Sequence, residues 1–308
     1  MTKKYSAIVH SLIPFDDKLR FDEAAFRKHL RRFVEAGVSV YIGAAGAAEG
    51  NTLTREERDR VLTVAVEELK GKVPVRAAGV EPRNAEDMVE FLQSAERIKV
   101  DSAQIYSMDM GHGVMPSRKE IEKYFRTAIE STSLPVTISN QKKVGYAIPL
   151  EMVEQFARDY KNFAGYAYDC NDMFYMIELI RRFSDRLEIH CSGVGNAMFT
   201  LAMGGNGFQG MEGNIAPKMI QSVITAFLAK DMDTMHASFY KLMLLHALLK
   251  GHDTENQRAI KPVLNTYGLA GGTIRPPRIL IEGTRLEKML NDIEALKIPE
   301  MAGWSRKK

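Results

Sequence analysis

Eight short apolar runs, each followed by a longer segment of helical period, constrain this chain more than any other feature. The runs are Tyr5–His10, Val38–Gly43, Val75–Gly79, Ser102–Tyr106, Pro135–Ser139, Ala164–Tyr168, Leu187–Cys191 and Gly207–Met211. They are rich in small or branched apolar residues, as strands buried on both faces should be. Between them, Asp22–Ala36 carries Phe26, Leu30, Phe33 and Val34 at spacings of three and four, which share one helix face. Thr54–Leu69 opens with Thr54-Arg-Glu-Glu57, a pattern that fits a capping box. Asn84–Arg97, Ser117–Glu130, Leu150–Asp159 and Asn171–Arg182 continue the alternation.

Strands that alternate with helices pair in parallel through right-handed crossovers. Eight of them close most economically into an α/β protein of the (β/α)8 TIM barrel type. The runner-up is a doubly wound open sheet, but Ser11–Asp17, after the first run, has no glycine for a phosphate loop. Nearly a third of the chain follows the eighth run, with helices expected at Ile215–Leu228, Met232–Leu249 and Arg285–Leu296. We therefore expect a barrel over 1–228 and a C-terminal helical extension over 229–308, packed together as one structural unit.

The 308 residues suit a single barrel. With 42 basic and 39 acidic residues spread along the chain, no charged block points to nucleic acid or an anionic membrane. No apolar run approaches the roughly 20 residues of a membrane span. Two cysteines, Cys170 and Cys191, are too few for a disulfide framework. The N-terminus lacks an apolar signal core, so the expected location is cytoplasmic. The seventeen methionines read as flexible core packing.

Several segments, in order, resemble the dihydrodipicolinate synthase / N-acetylneuraminate lyase family of (β/α)8 class I aldolases. Gly43-Ala-Ala-Gly46 with Glu49 and Thr52–Arg58 is similar to that family's Gly-Thr-Thr-Gly-Glu loop. Leu134–Asn140 and Asn162–Gly165 resemble its fifth and sixth strands. Gly193, Gly204–Gly207 and Asn214–Pro217 resemble its seventh and eighth strand regions. Lys261-Pro-Val-Leu and Gly268–Pro277 resemble its C-terminal signature.

The departures fall where the family places its active site. Ala44 and Ala45 stand for two threonines that hold a substrate carboxylate and relay protons. Ser139 stands for the proton-shuttling tyrosine, Ala167 for the imine-forming lysine and Tyr168 for the glutamate beside it. Lys161 cannot replace the lysine, because it precedes the sixth strand at the opposite end of the barrel. The segment after the fourth strand, Asp109-Met-Gly-His-Gly113, is longer than the family's.

Glu49, Asp109, His112, Ser139, Lys142, Lys143, Asp169, His190, Ser192 and Glu212 are expected at the catalytic mouth. Three mechanisms suit them. A displaced lysine, Lys142 or Lys143, could supply the amine, against a plain reading of loop lysines or a carboxylate clamp. Asp109, His112, Asp169 and Glu212 could hold a divalent metal, though no His-x-x-x-His spacing supports this. Acid–base groups could act without covalent catalysis, with His112 and Glu49 the natural carriers. His112 reads equally well as an exposed turn residue, and His190 reads as a satisfied core histidine.

The expected catalytic set is His112, Asp109, Lys143, Glu49 and Ser139. The expected substrate-binding set is Ala44, Ala45, Lys142, Ala167, Asp169, Gly193 and Glu212. No cofactor is expected. The resemblance implies a homotetramer or homodimer and a small 2-oxo or hydroxy carboxylic acid as ligand. With its replacements it implies a divergent lyase, acting by aldol cleavage or hydration and dehydration without the usual imine, and not a genuine dihydrodipicolinate synthase. Two alternatives stay open: a non-catalytic metabolite-binding paralogue, and an aldolase whose amine has moved to Lys142 or Lys143.

Overall fold

A computed structural model describes residues 3–141, 144–169, 172–251 and 257–307. Eight parallel strands form a closed barrel in chain order. They are β1 Ser6–His10, β2 Ser39–Ile42, β3 Val75–Ala78, β4 Ser102–Tyr106, β5 Val136–Gln141, β6 Phe163–Asp169, β7 Glu188–Ser192 and β8 Gly207–Gly210. All eight expected runs are strands, with ends that agree or shift by at most two residues. The largest shift is at β5, which runs on to Gln141.

The helices are α1 Glu23–Ala36, α2 Ala45–Ala48, α3 Arg55–Leu69, α4 Ala85–Ile98, α5 Arg118–Glu130, α6 Leu150–Asp159, α7 Met173–Phe183, α8 Ala197–Ala202, α9 Pro217–Ala229, α10 Met232–Lys250, α11 Gln257–Thr266 and α12 Gly283–Ala295. Their starts follow local chemistry. Asp22 caps α1 by accepting from the Ala25 N–H at 2.9 Å. The Thr54–Glu57 capping box of α3 is present in both directions, and Ser117–Glu120 makes a second one on α5. The buried face of α1 is Phe26, His29, Leu30 and Phe33, so His29 takes a core place where Val34 was expected.

The chain divides into two compact units. One holds Arg76–Gln209 and the segment ending at Ser6; the other holds Ala7–Val75 and the segment beginning at Gly210. The C-terminal helices thus group with the first strands and helices. Within this second unit α10 packs along α9, and α12 packs on both α10 and α11.

Candidate active site

In the first unit, a hydroxyl bridges the ends of β4 and β5. Ser107 donates to the Ser139 carbonyl at 3.1 Å, and its Oγ accepts from the Gln141 N–H at 3.3 Å. Ser139 is fully buried, and its Oγ accepts from Gln141 Nε2 at 2.6 Å. Tyr146 donates to the Met108 carbonyl at 3.0 Å, and burial pushes its phenol up to about 12. It is therefore a protonated donor at neutral pH. Asn140 and Gln104 are buried, and each has a side-chain carbonyl without a hydrogen-bond partner among the described residues.

Parallel register places Ala167 of β6 opposite Ser139 on one side and His190 on the other. Ala167 is completely buried. His190 Nε2 lies 2.9 Å from Ser6 Oγ; burial, aided by the charge of Arg76, pulls the imidazole down to about 3. His190 is a neutral core residue, as its sequence setting suggests. Tyr168 stacks on Tyr175 at 4.8 Å and donates to the Asp172 carbonyl, which commits it to α7. Asp169, Ser192 and Gly193 are half-buried at strand ends, and Gly193 takes a φ of 83° there. Burial pushes the Cys191 thiol up to about 12, which leaves no thiolate to act as nucleophile.

The segment after β4 corrects an expectation. Gly111, His112 and Gly113 have consecutive positive φ angles of 77°, 52° and 69°, and His112 is exposed at the top of the turn. The Asp109 carboxylate accepts from the Gly111 N–H at 2.8 Å and is itself 47% exposed. The glycines shape a surface turn, so His112 is poorly placed to work on a sequestered substrate. Lys142, Lys143 and Cys170 lie outside the described residues.

In the second unit, β2 leads into buried Ala44 and Ala45. Glu49 follows with a left-handed φ of 58° and no exposure. Its carboxylate pairs with the fully buried Lys261 ammonium and accepts from the Arg275 N–H at 3.2 Å. Lys261 also donates to the Thr273 carbonyl at 2.6 Å. Burial holds Lys261 below its ordinary value, at about 8, against the pull of Glu49. Arg275 reaches the Leu19 and Thr52 carbonyls and bonds the Glu57 carboxylate at 2.8 Å. A side chain at Gly50 would put its Cβ 1.9 Å from the Gly43 carbonyl oxygen, so this loop closes only around glycine. Glu49, expected to carry protons, is instead an internal strut that ties the loop to α11.

After β8, Glu212 is 1% exposed and its Oε1 lies 2.6 Å from His246 Nδ1 on α10. Its other oxygen has no hydrogen-bond partner among the described residues. Asn214, two residues on, accepts from the Leu12 N–H and from His29 Nε2, and donates to the His10 carbonyl. The sequence reading missed Lys261, Arg275 and His246. The first two lie in segments matched to a family signature without a role. His246 lies in a helix read only as packing.

No three described His, Cys, Asp or Glu side chains are gathered as metal ligands, so Asp109, His112, Asp169 and Glu212 do not form such a set. A cavity of about 630 Å³ lies elsewhere in the second unit, lined by Arg32, Lys218, Ser222, Lys241, Glu300 and Trp304. It sits among α1, α9 and α10.

A closed eight-stranded parallel barrel whose strands alternate with helices is a (β/α)8 TIM barrel. The 4-hydroxy-tetrahydrodipicolinate synthase structure from Methylacidiphilum fumariolicum SolV superposes with a TM-score of 0.87 at 19% identity, covering 98% of this chain and 100% of that one. CdNal from Clostridium difficile, solved in complex with mannosamine, gives 0.82 at 17% identity, covering 96% and 98%. In sequence, the 4-hydroxy-tetrahydrodipicolinate synthase of Methanopyrus kandleri is 27% identical over 277 residues, 88% of this chain and 89% of the relative. The chain belongs to the dihydrodipicolinate synthetase family, whose model matches residues 4–296. It is thus a lyase-type aldolase family member.

Proposed function

We propose that this chain is a lyase for a small 2-oxo or hydroxy carboxylic acid and works without a lysine imine on the sixth strand. The observation that carries this reading is Ala167, buried in register with Ser139 and His190 where the family resemblance calls for the lysine. An alanine methyl neither forms an imine nor moves a proton. Lys261 offers no substitute: it has no exposure, and its ammonium is held by Glu49 and the Thr273 carbonyl. Aldol cleavage and water elimination then both rest on acid–base chemistry at a carbon next to a carbonyl. Ser139, Ala167, Asp169 and Gly193 remain our candidates for contacting the acid.

Because alanines and serine replace the family's threonines, tyrosine and lysine together, we also propose that the synthase reaction named for the relatives is lost. We take the chain to act in the cytoplasm as a homodimer or homotetramer. Treatment with pyruvate and borohydride, read by intact mass, tests the chemistry. We expect no covalent adduct. A stable adduct mapped to any lysine, including Lys142 or Lys143, would overturn the reading and identify a relocated amine.

A further inference from the structure

We propose that His246 is a proton carrier of this chain's reaction, with Glu212 as its positioning residue. Glu212 lies in the turn that leaves β8, at the carboxyl end of a strand, where barrels of this kind carry their chemistry. From that turn α9 leads away, and α10 packs back along it. The last turns of α10, which hold His246, therefore return to the level of the strand ends. The 2.6 Å contact joins Glu212 Oε1 to His246 Nδ1. A carboxylate there accepts the Nδ1 proton and fixes the tautomer, which leaves Nε2 with its lone pair as the base.

The two partners differ in burial in the sense such a pair requires. Glu212 is sealed at 1% side-chain exposure, while His246 keeps 15%. A simple tether between α10 and the turn would not need a buried carboxylate whose second oxygen lacks a hydrogen-bond partner among the described residues, an arrangement that costs free energy. The turn itself is held firmly: Asn214 bonds the His10 and Met211 carbonyls, and a Cβ at Gly213 would stand 2.3 Å from Val9.

Resting on the 2-oxo-acid reading above, the step is proton transfer at C3 of the acid. The C3–H bond breaks, its proton passes to Nε2, and its electron pair moves through C2 to the carbonyl oxygen as an enolate. Return of a proton from the imidazolium restores the acid. In heavy water the returned proton is a deuteron.

Pyruvate incubated with the full-length protein in D2O, with the methyl resonance followed by NMR, tests this. The wild type should exchange faster than buffer alone. His246→Ala should slow exchange by about 100-fold or more, the usual scale of general acid–base catalysis. Added imidazole should restore part of the rate. Glu212→Gln should lower kcat with little change in KM, and Glu212→Asp should recover some of it, both with the wild-type circular dichroism spectrum. Exchange at the wild-type rate in His246→Ala would overturn the proposal, as would a folded, slow variant that imidazole does not rescue. A wild type that exchanges no protons would remove the 2-oxo-acid reading itself, and this inference with it.

Discussion

A fully buried ammonium facing a fully buried carboxylate is stable only while both are present, because either charge alone would sit in low dielectric without compensation. Lys261 and Glu49 are in that position. Lys261→Met should therefore lower stability by about 3–5 kcal/mol, read from the urea midpoint, and adding Glu49→Gln should recover much of the loss. Recovery of nothing would mean that the loop is held by Arg275 alone. Two buried histidines make a separate prediction. His29, held by Asn214, and His190 stay neutral in the folded protein, each pulled by burial from 6.5 down to about 3. The unfolded chain takes up those protons below pH 6.5 and the folded chain does not. Their stabilisation is complete above pH 6.5 and is lost as pH falls toward 3, at roughly 1 kcal/mol per pH unit for each histidine. His190→Gln should make the acid limb of a stability–pH curve shallower; an unchanged slope would exclude His190 as a contributor.

At the level of elements, local signals were legible wherever a short motif decides the outcome. The Thr54–Glu57 box and the apolar face of α1 needed only neighbouring residues. Ser117→Ala removes the side-chain acceptor from the exposed start of α5 and should cost about 1 kcal/mol by thermal or urea unfolding. A neutral result would mean that the Glu120 contact to the Ser117 N–H suffices alone. Elements whose evidence is spread out were missed. α11 carries Pro262 inside it, which argues against a helix when read locally, yet its face of Ile260, Val263 and Leu264 is wholly buried. α2 and α8 span four and six residues, too few to show a period. The site was less legible than the fold for the same reason. Glu49 and His112 look alike as acid–base groups in sequence, yet one is sealed by a lysine far along the chain and the other stands on a surface turn. His246 cannot be told from packing until Glu212 is seen beside it.

For the whole molecule, alternating runs were enough to fix eight strands and their order, because parallel pairing leaves few other closures. Large apolar side chains remain outside: Phe174, Tyr240 and Ile279 are 83%, 66% and 65% exposed. The assembly proposed above predicts that further copies of the chain cover such side chains. Light scattering should accordingly return two or four times the 34.6 kDa mass of one chain; a value of one chain mass would exclude the proposed assembly.

The node at Arg275 also bears on how the protein is made. It gathers the Leu19 and Thr52 carbonyls and the Glu57 carboxylate, while Arg275 itself is made 218 residues after Glu57. Glu49 waits for Lys261 in the same way. The nascent chain must therefore carry a loop with open acceptors and an unpaired acid until Lys261 and Arg275 follow. A chain cut between Glu57 and Arg275 would leave that loop without its clasp.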